Sequence, residues 1–527
     1  MRTSSLAFVL GLLAFPVGVS AQPAQPPAAP NAPTAPPSVE TQPEASGAGA
    51  ETERPLGPKA RPAPDETRAV LAPVPGGLTA EIVAERSLAS SHTVRARLAE
   101  LDAARARLAQ TTAQFFPRLT LRASYTRLSP VSAELGGALV GAGNPGLLST
   151  GPCPGGGGGE CVLDAAGQPV GAAEFAIESF PDNYALTAQL SVPISDYILR
   201  LSSAASGAAA NRKAAELQVD AERLKVRTDA QALFYDWLRA RARVAVAEKS
   251  LERTRARLAE SRPAFELGTI TRADLLRLEA LEASTEQVVL EARSYAELSE
   301  LSLALAMGDP APRGYAAGED IGATTPPIQE SLERLTAEAL KTRLELEALE
   351  QSARSMRLAG QAVRTGALPR IDAMAEVTYA NPNQRYFPPQ EKWQATWSAG
   401  VAATWTIGDV AIQGAAAREL SANAEAIVAQ RSALANAIRQ EVAMHYLAYQ
   451  RAVGALASAE RGLAAAEEAY RVASDLYRYG KATTTQVIDA EADLLAARLN
   501  ELDARIERRI AEVRLRHATG RDRDALR

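Results

Sequence analysis

Residues 463–498 read LAAAEEAYRVASDLYRYGKATTTQVIDAEADLLAAR, and their pattern decides the fold. Leu456, Leu463, Tyr470 and Tyr477 recur at seven-residue spacing, which keeps one face of a long helix against a neighbour, and the pattern stops at Gly480. A Thr-rich turn follows, and a second helical pattern starts back at Gln486. Upstream, Val244, Leu251, Leu258 and Phe265 lead in the same way to Gly268, after which TITRADLLRLEA resumes the helix. One constant offset maps these five positions onto Leu456, Leu463, Tyr470, Tyr477 and Gly480. A long helical hairpin is therefore used twice, and the chain is an internal duplication.

The composition agrees. Only 5% of the 527 residues are aromatic while Ala, Leu, Arg and Glu abound, a bias of long packed helices rather than of compact mixed domains. The net charge is -5, and acids and bases alternate along the helical parts as on solvated faces with i,i+4 pairs. No basic block suits nucleic acid, so that class of partner is set aside.

The N-terminus carries the three parts of a secretory signal over residues 1–21. Arg2 supplies charge, Leu6 to Val19 an apolar run, and Val19-Ser20-Ala21 small residues for cleavage. Export is expected. Residues 22–77 are rich in Pro and Ala and read as a disordered, semi-rigid linker. Beyond Gly77 no apolar run is long enough for a membrane helix, so any insertion must use strands.

Strand patterns follow. Pro117 ends a helical pattern, and in residues 118–128 Leu119, Leu121, Ala123 and Tyr125 point one way while Thr120, Arg122, Ser124 and Thr126 point the other. Residues 184–194 alternate again, as do 370–380 after Pro369, and 394–407. Each has about the eleven residues a tilted strand needs to cross a bilayer. Trp393, Trp397 and Trp405 fall in or beside the last strand, as an interfacial girdle would place them. Between the first two strands a Gly/Pro-rich loop holds Cys153 and Cys161, the only cysteines, which an oxidising compartment would join locally. The repeats then span 78–309 and 331–527, with a connector at 310–330.

Lengths set the architecture. The hairpin arms from Asp196 to Gly268 and from Asp409 to Gly480 would each reach about 100 Å at roughly 1.5 Å per residue. The return segments, and the helices before Pro117 and Pro369, are about half as long. Two short helices end to end therefore match one long helix, twice over. Four strands cannot close a barrel around a passage, and an open edge is not tolerated in lipid, so several copies must share one barrel.

This duplicated order of helix, Pro, strand, loop, strand and long hairpin, with the tip motifs FELGTITRADLL and YRYGKATTTQVIDA, resembles the TolC-like outer-membrane efflux family from Leu78 to the C-terminus. The resemblance implies a mainly α fold with a transmembrane β part: a long α-helical coiled-coil barrel joined to a twelve-stranded β-barrel shared by a homotrimer. It implies the outer membrane of a Gram-negative bacterium, with a tunnel across the periplasm. The channel would export passively within a tripartite efflux or type I secretion system. Gly268, Thr269, Gly480 and Lys481 would be the tips that dock a periplasmic adaptor (membrane fusion) protein and an RND- or ABC-type inner-membrane pump.

In that family a Tyr and an Arg near the second turn bond the neighbouring hairpin, and two Asp rings narrow the tip. Motif to motif, the Tyr falls on Tyr477 and its partner on Asp274. The Arg position holds Ala482, the first ring position Gln486 and the second Asp489. Three Asp489 carboxylates around a narrow axis would attract cations.

No catalytic constellation emerges. His92, His445 and His517 are scattered, and metal-ligand spacing, a nucleophile elbow and a phosphate loop are missing from the sequence. No enzymatic activity, cofactor or resident metal is expected. A dedicated polypeptide-secretion duct is the alternative within the same fold, and a non-pore periplasmic coiled-coil spacer the alternative outside it. The strands discriminate, because a spacer has no need of a lipid-facing surface.

Overall fold

Proline marks both passages from helix to sheet. A proline lacks the N–H that would continue a helix and pushes the residue before it toward extended backbone, and strands begin at Arg118 and Arg370, directly after Pro117 and Pro369. The computed structural model describes residues 73–526, apart from 130–132, 135–138, 143–145, 156–157, 174–175, 178–179, 321, 323–325 and 388. The expected signal peptide, and the linker up to residue 72, lie outside the described residues.

The main elements are α1 (Ala80–Ser90), α2 (His92–Ala113), β1 (Arg118–Arg127), β2 (Asp182–Val192), α3 (Ile194–Ile198) and α4 (Arg200–Glu266). They continue with α5 (Arg272–Ala306), α6 (Leu332–Thr342), α7 (Leu344–Arg364), β3 (Arg370–Asn381), β4 (Gln394–Thr404), α8 (Ile407–Arg478) and α9 (Thr484–Ala518). Helices that the sequence presents as continuous are broken in three places. Ser91 leaves the helical region and its Oγ accepts the N–H of Val94 at 3.2 Å, ending α1 and capping α2. Arg343 also leaves the helical region, between α6 and α7, without a side-chain cap; its guanidinium is held by Glu345, by Glu441 and by the carbonyl of Ala518. Leu199 separates α3 from α4. Ile407, expected on a strand face, instead begins α8.

The four long strands form one antiparallel sheet in the order β1-β2-β3-β4, which leaves one edge of β1 and one edge of β4 unpaired within the chain. Its register aligns like with like. One row runs Leu121, Ala188, Val377, Trp397, and the next row on the opposite face runs Thr120, Gln189, Glu376, Ser398. Leu119, Leu121, Leu186, Val377, Trp397 and Val401 are exposed on the apolar face. At one end of that face Trp393 stacks on Tyr379 (4.9 Å between centroids) and neighbours Tyr184, which meets Tyr125 at 5.1 Å. The loop between β1 and β2 contains short two-stranded ladders, one of which carries the Cys153–Cys161 disulfide.

The apolar core sits midway along the helices. Val83, Phe234, Trp237, Leu238, Leu303, Leu502 and Ile506 pack where α1, α4, α5 and α9 meet, and Leu335, Ile438, Val442, Tyr449 and Leu515 pack where α6, α8 and α9 meet. Each such side chain contributes about 2 kcal/mol by burial. The connector closes on this level: Leu78 and Ala317 form a parallel bridge, and the amides of Val74 and Leu78 donate to the carbonyls of Ala317 and Ala316. Toward the hairpin ends the buried apolar residues thin to single ones such as Leu258, Leu278, Val487 and Leu494. The tips are thus held less by apolar burial than the middle is, which makes their polar contacts matter more.

Candidate functional site

Both hairpins turn by the same device. Gly268 (φ 73°) and Gly480 (φ 70°) adopt left-handed backbone, which costs a glycine nothing. At the first tip the N–H of Gly268 donates to the carbonyl of Phe265 and that of Thr269 to Ala264; at the second, Gly480 donates to Tyr477 and Lys481 to Leu476. This paired closure ends α4 and α8 identically. All four tip residues are exposed, and each turn also lifts one apolar side chain into solvent, Leu267 (80% exposed) and Tyr479 (79%). The duplication offset relates those two residues, which is the signal by which sequence reasoning could have found them.

The helices that leave the turns start on capping boxes. Thr271 Oγ1 accepts the N–H of Asp274, and Asp274 Oδ2 accepts the N–H of Thr271 (3.2 Å) and its hydroxyl (2.6 Å). In the second hairpin Thr483 Oγ1 accepts the N–H of Gln486, and Gln486 Oε1 accepts the N–H of Thr483 at 2.9 Å. Asp274 and Gln486 are the same position of the two repeats and cap their own helices. Asp489 lies on the exposed side of α9, one turn further on.

Between the hairpins opens a cleft of about 1120 Å³, lined by Thr269, Asp274, Tyr477, Gly480 and Ala482 among the residues already singled out. Tyr477 and Asp274 share this cleft, but what meets the Tyr477 ring is Arg257, whose Cζ lies 6.0 Å from the ring centroid. Arg257 also donates from Nη2 to the hydroxyl of Tyr470 at 3.3 Å and faces Glu491 Oε2 at 3.7 Å. Nearer the turn, Arg277 Nη1 donates to Thr485 Oγ1 at 2.6 Å, joining the two hairpins. Glu491 is buried, and neither of its carboxylate oxygens has a hydrogen-bond partner. Burial pushes its pKa up, against the pull of Arg257 and Arg253. Arg257, Arg277 and Glu491 escaped the sequence reading because nothing in a heptad pattern distinguishes them from solvated helix charges.

A sheet apolar on one face and polar on the other, carried on paired hairpins whose longer arms reach about 100 Å at roughly 1.5 Å per residue, is the build of an outer-membrane channel. No helix among the described residues is long and apolar enough to cross a membrane. The chain belongs to the outer membrane efflux protein family, whose model matches residues 83–309 and 335–521, one stretch in each repeat. Its place is the outer membrane, and its family is one of channels.

In structure the chain is similar to the outer-membrane channel OprN at 19% identity and a TM-score of 0.63, over 88% of this chain and 98% of that one. It is similar to VceC from Vibrio cholerae at 19% identity and a TM-score of 0.61, over 84% and 96% of the two chains. A third likeness is to CmeC from Campylobacter jejuni at 14% identity and a TM-score of 0.64, over 89% and 94%. At these identities the likeness is one of fold. No curated protein matches the chain in sequence.

Proposed function

We propose that three copies of this chain close into one passive export channel of a tripartite efflux system in the outer membrane of a Gram-negative bacterium. The helical hairpins then extend through the periplasm, and their tips dock an adaptor protein and an inner-membrane pump. The observation that carries this reading is the four-stranded sheet with a continuous apolar face, a polar opposite face and two unpaired edges. Such a sheet is stable in lipid only when β4 of one copy pairs with β1 of the next. Twelve strands from three copies leave a polar lumen where four do not.

The helices support the same head-to-tail closure. Below the core α4 lies between α5 and α9, and α9 packs on α8, so α5 and α8 are the outer columns. Along α5, Leu276, Leu290, Leu298 and Leu305 are exposed. Along α8, Gly454, Ser458, Gly462 and Ala465 form an exposed groove of small residues that could receive them from a second copy. Leu267, Tyr479 and Lys481 at the exposed turns would supply the apolar and charged contacts for an adaptor.

The refolded oligomer in a planar bilayer tests the channel. Stepwise conductance carried by a trimer supports it. Absence of conductance in the wild type and also in Tyr477→Ala and Asp489→Ala would leave a helical spacer as the better description.

A further inference from the structure

Three charge pairs join the first hairpin to the second along the seam of α4 and α9, each with Arg on α4 and a carboxylate on α9. Arg239 faces Glu507 at 3.7 Å, Arg243 Nε donates to Asp503 Oδ1 at 2.9 Å, and Arg257 faces Glu491 at 3.7 Å. The first two lie beside the apolar core, which holds the helices together without them. The third lies about 16 Å above the turns at roughly 1.5 Å per residue, where apolar burial has thinned. It is also the most enclosed: the Glu491 side chain is 4% exposed and that of Arg257 15%. By contrast the pairs Arg255–Glu282, Arg293–Glu248 and Arg498–Glu467 tie arms within one hairpin and are open to solvent on at least one side.

We propose that Arg257 is the bolt that holds the two hairpins of one chain together above the tip, through Glu491, the hydroxyl of Tyr470 and the ring of Tyr477. The proposal rests on reading the tip as the channel's constriction. It places the holding contact within one chain, away from Asp274, Ala482 and Gln486, whose side chains are used in caps or carry no polar group. A buried carboxylate is tolerated only while an opposite charge stands beside it; removing one partner of such a pair costs far more than removing both. Any movement of the second hairpin, α8 and α9 together, away from α4 exposes Glu491 and parts Arg257 from both tyrosines at once. Parting the hairpins therefore breaks this cluster, together with the Arg277–Thr485 hydrogen bond nearer the turn.

The test is a double-mutant cycle on the full-length oligomer with Arg257→Gln, Glu491→Gln and the pair together. Hydrogen exchange is read at residues 253–260 and 484–494, and conductance in planar bilayers. The double variant leaves neither buried charge at the site, so it stays readable where a single variant folds poorly. Arg257→Gln is expected to exchange about tenfold faster in both segments and to conduct more, and the double variant to return toward wild type. Unchanged exchange in Arg257→Gln, or effects that simply add in the double variant, would overturn the bolt. Faster exchange reversed in the double variant, but with unaltered conductance, would uphold it and instead move the constriction away from the tip.

Discussion

The ring of Tyr477 lies against the guanidinium of Arg257, so the last heptad aromatic before the second turn is engaged by the other hairpin of its own chain. A cation over an aromatic face contributes about 1 kcal/mol at a partly exposed site, and a phenylalanine ring keeps most of that. Tyr477→Phe should therefore leave single-channel conductance close to wild type, whereas Tyr477→Ala should raise it. Equal effects of the two variants would assign the role to the hydroxyl instead.

Asp274 and Gln486 each complete a capping box at the first turn of a return helix. Replacing either by Ala should cost about 1 kcal/mol of local stability, and the double replacement about the sum, because the two caps share no hydrogen-bond partner. Hydrogen exchange at Thr271–Leu275 and Thr483–Val487 measures this directly. A cost confined to one of the two would mean that the other side chain has a second task.

Glu491 makes closure of the tip depend on pH. Its pKa is raised above the ordinary 4.5 in the packed state, first by burial, with Arg257 and Arg253 of α4 opposing the shift and Tyr470 of α8 facing the same arginine. The packed tip thus binds this proton more tightly than an opened, solvated tip does. The stabilisation is complete below about pH 4.5 and is lost as pH rises through the raised value. Lowering the pH through that raised value toward 4.5 should reduce open probability, and Glu491→Gln should flatten that dependence. A slope that survives in Glu491→Gln would place the titrating group elsewhere.

Asp489 stands on the exposed side of α9 with no capping duty. If three copies bring this carboxylate to a common axis, Asp489→Asn should lower cation preference and weaken block by multivalent cations. Reversal-potential measurements in asymmetric salt read the change. Selectivity identical to wild type would mean that these carboxylates do not face the ion path.

Much of the fold is legible in the sequence because its signals are local. The alternation in residues 118–128 and 370–380 needs only period two to declare two faces, and the register then keeps Leu121, Val377 and Trp397 in one row. The breaks at Ser91 and Arg343 were not legible, because the helical periodicity runs across them; a serine cap and a guanidinium shared with a distant carbonyl decide them. At the tips Thr271-x-x-Asp274 and Thr483-x-x-Gln486 carry the capping signal openly, because a threonine followed three residues on by an acid or amide marks a helix start.

The sequence by itself determined the duplication, the hairpin lengths, the glycine turns and a sheet suited to lipid, since each follows from spacing along one segment. The tertiary structure alone decided what holds the hairpins to each other. Arg257 and Glu491 lie far apart in the chain, and their encounter depends on how α4 and α9 are rotated about their own axes. A seven-residue period says which face of a helix is buried. It does not say which charge on the neighbouring helix that face will meet.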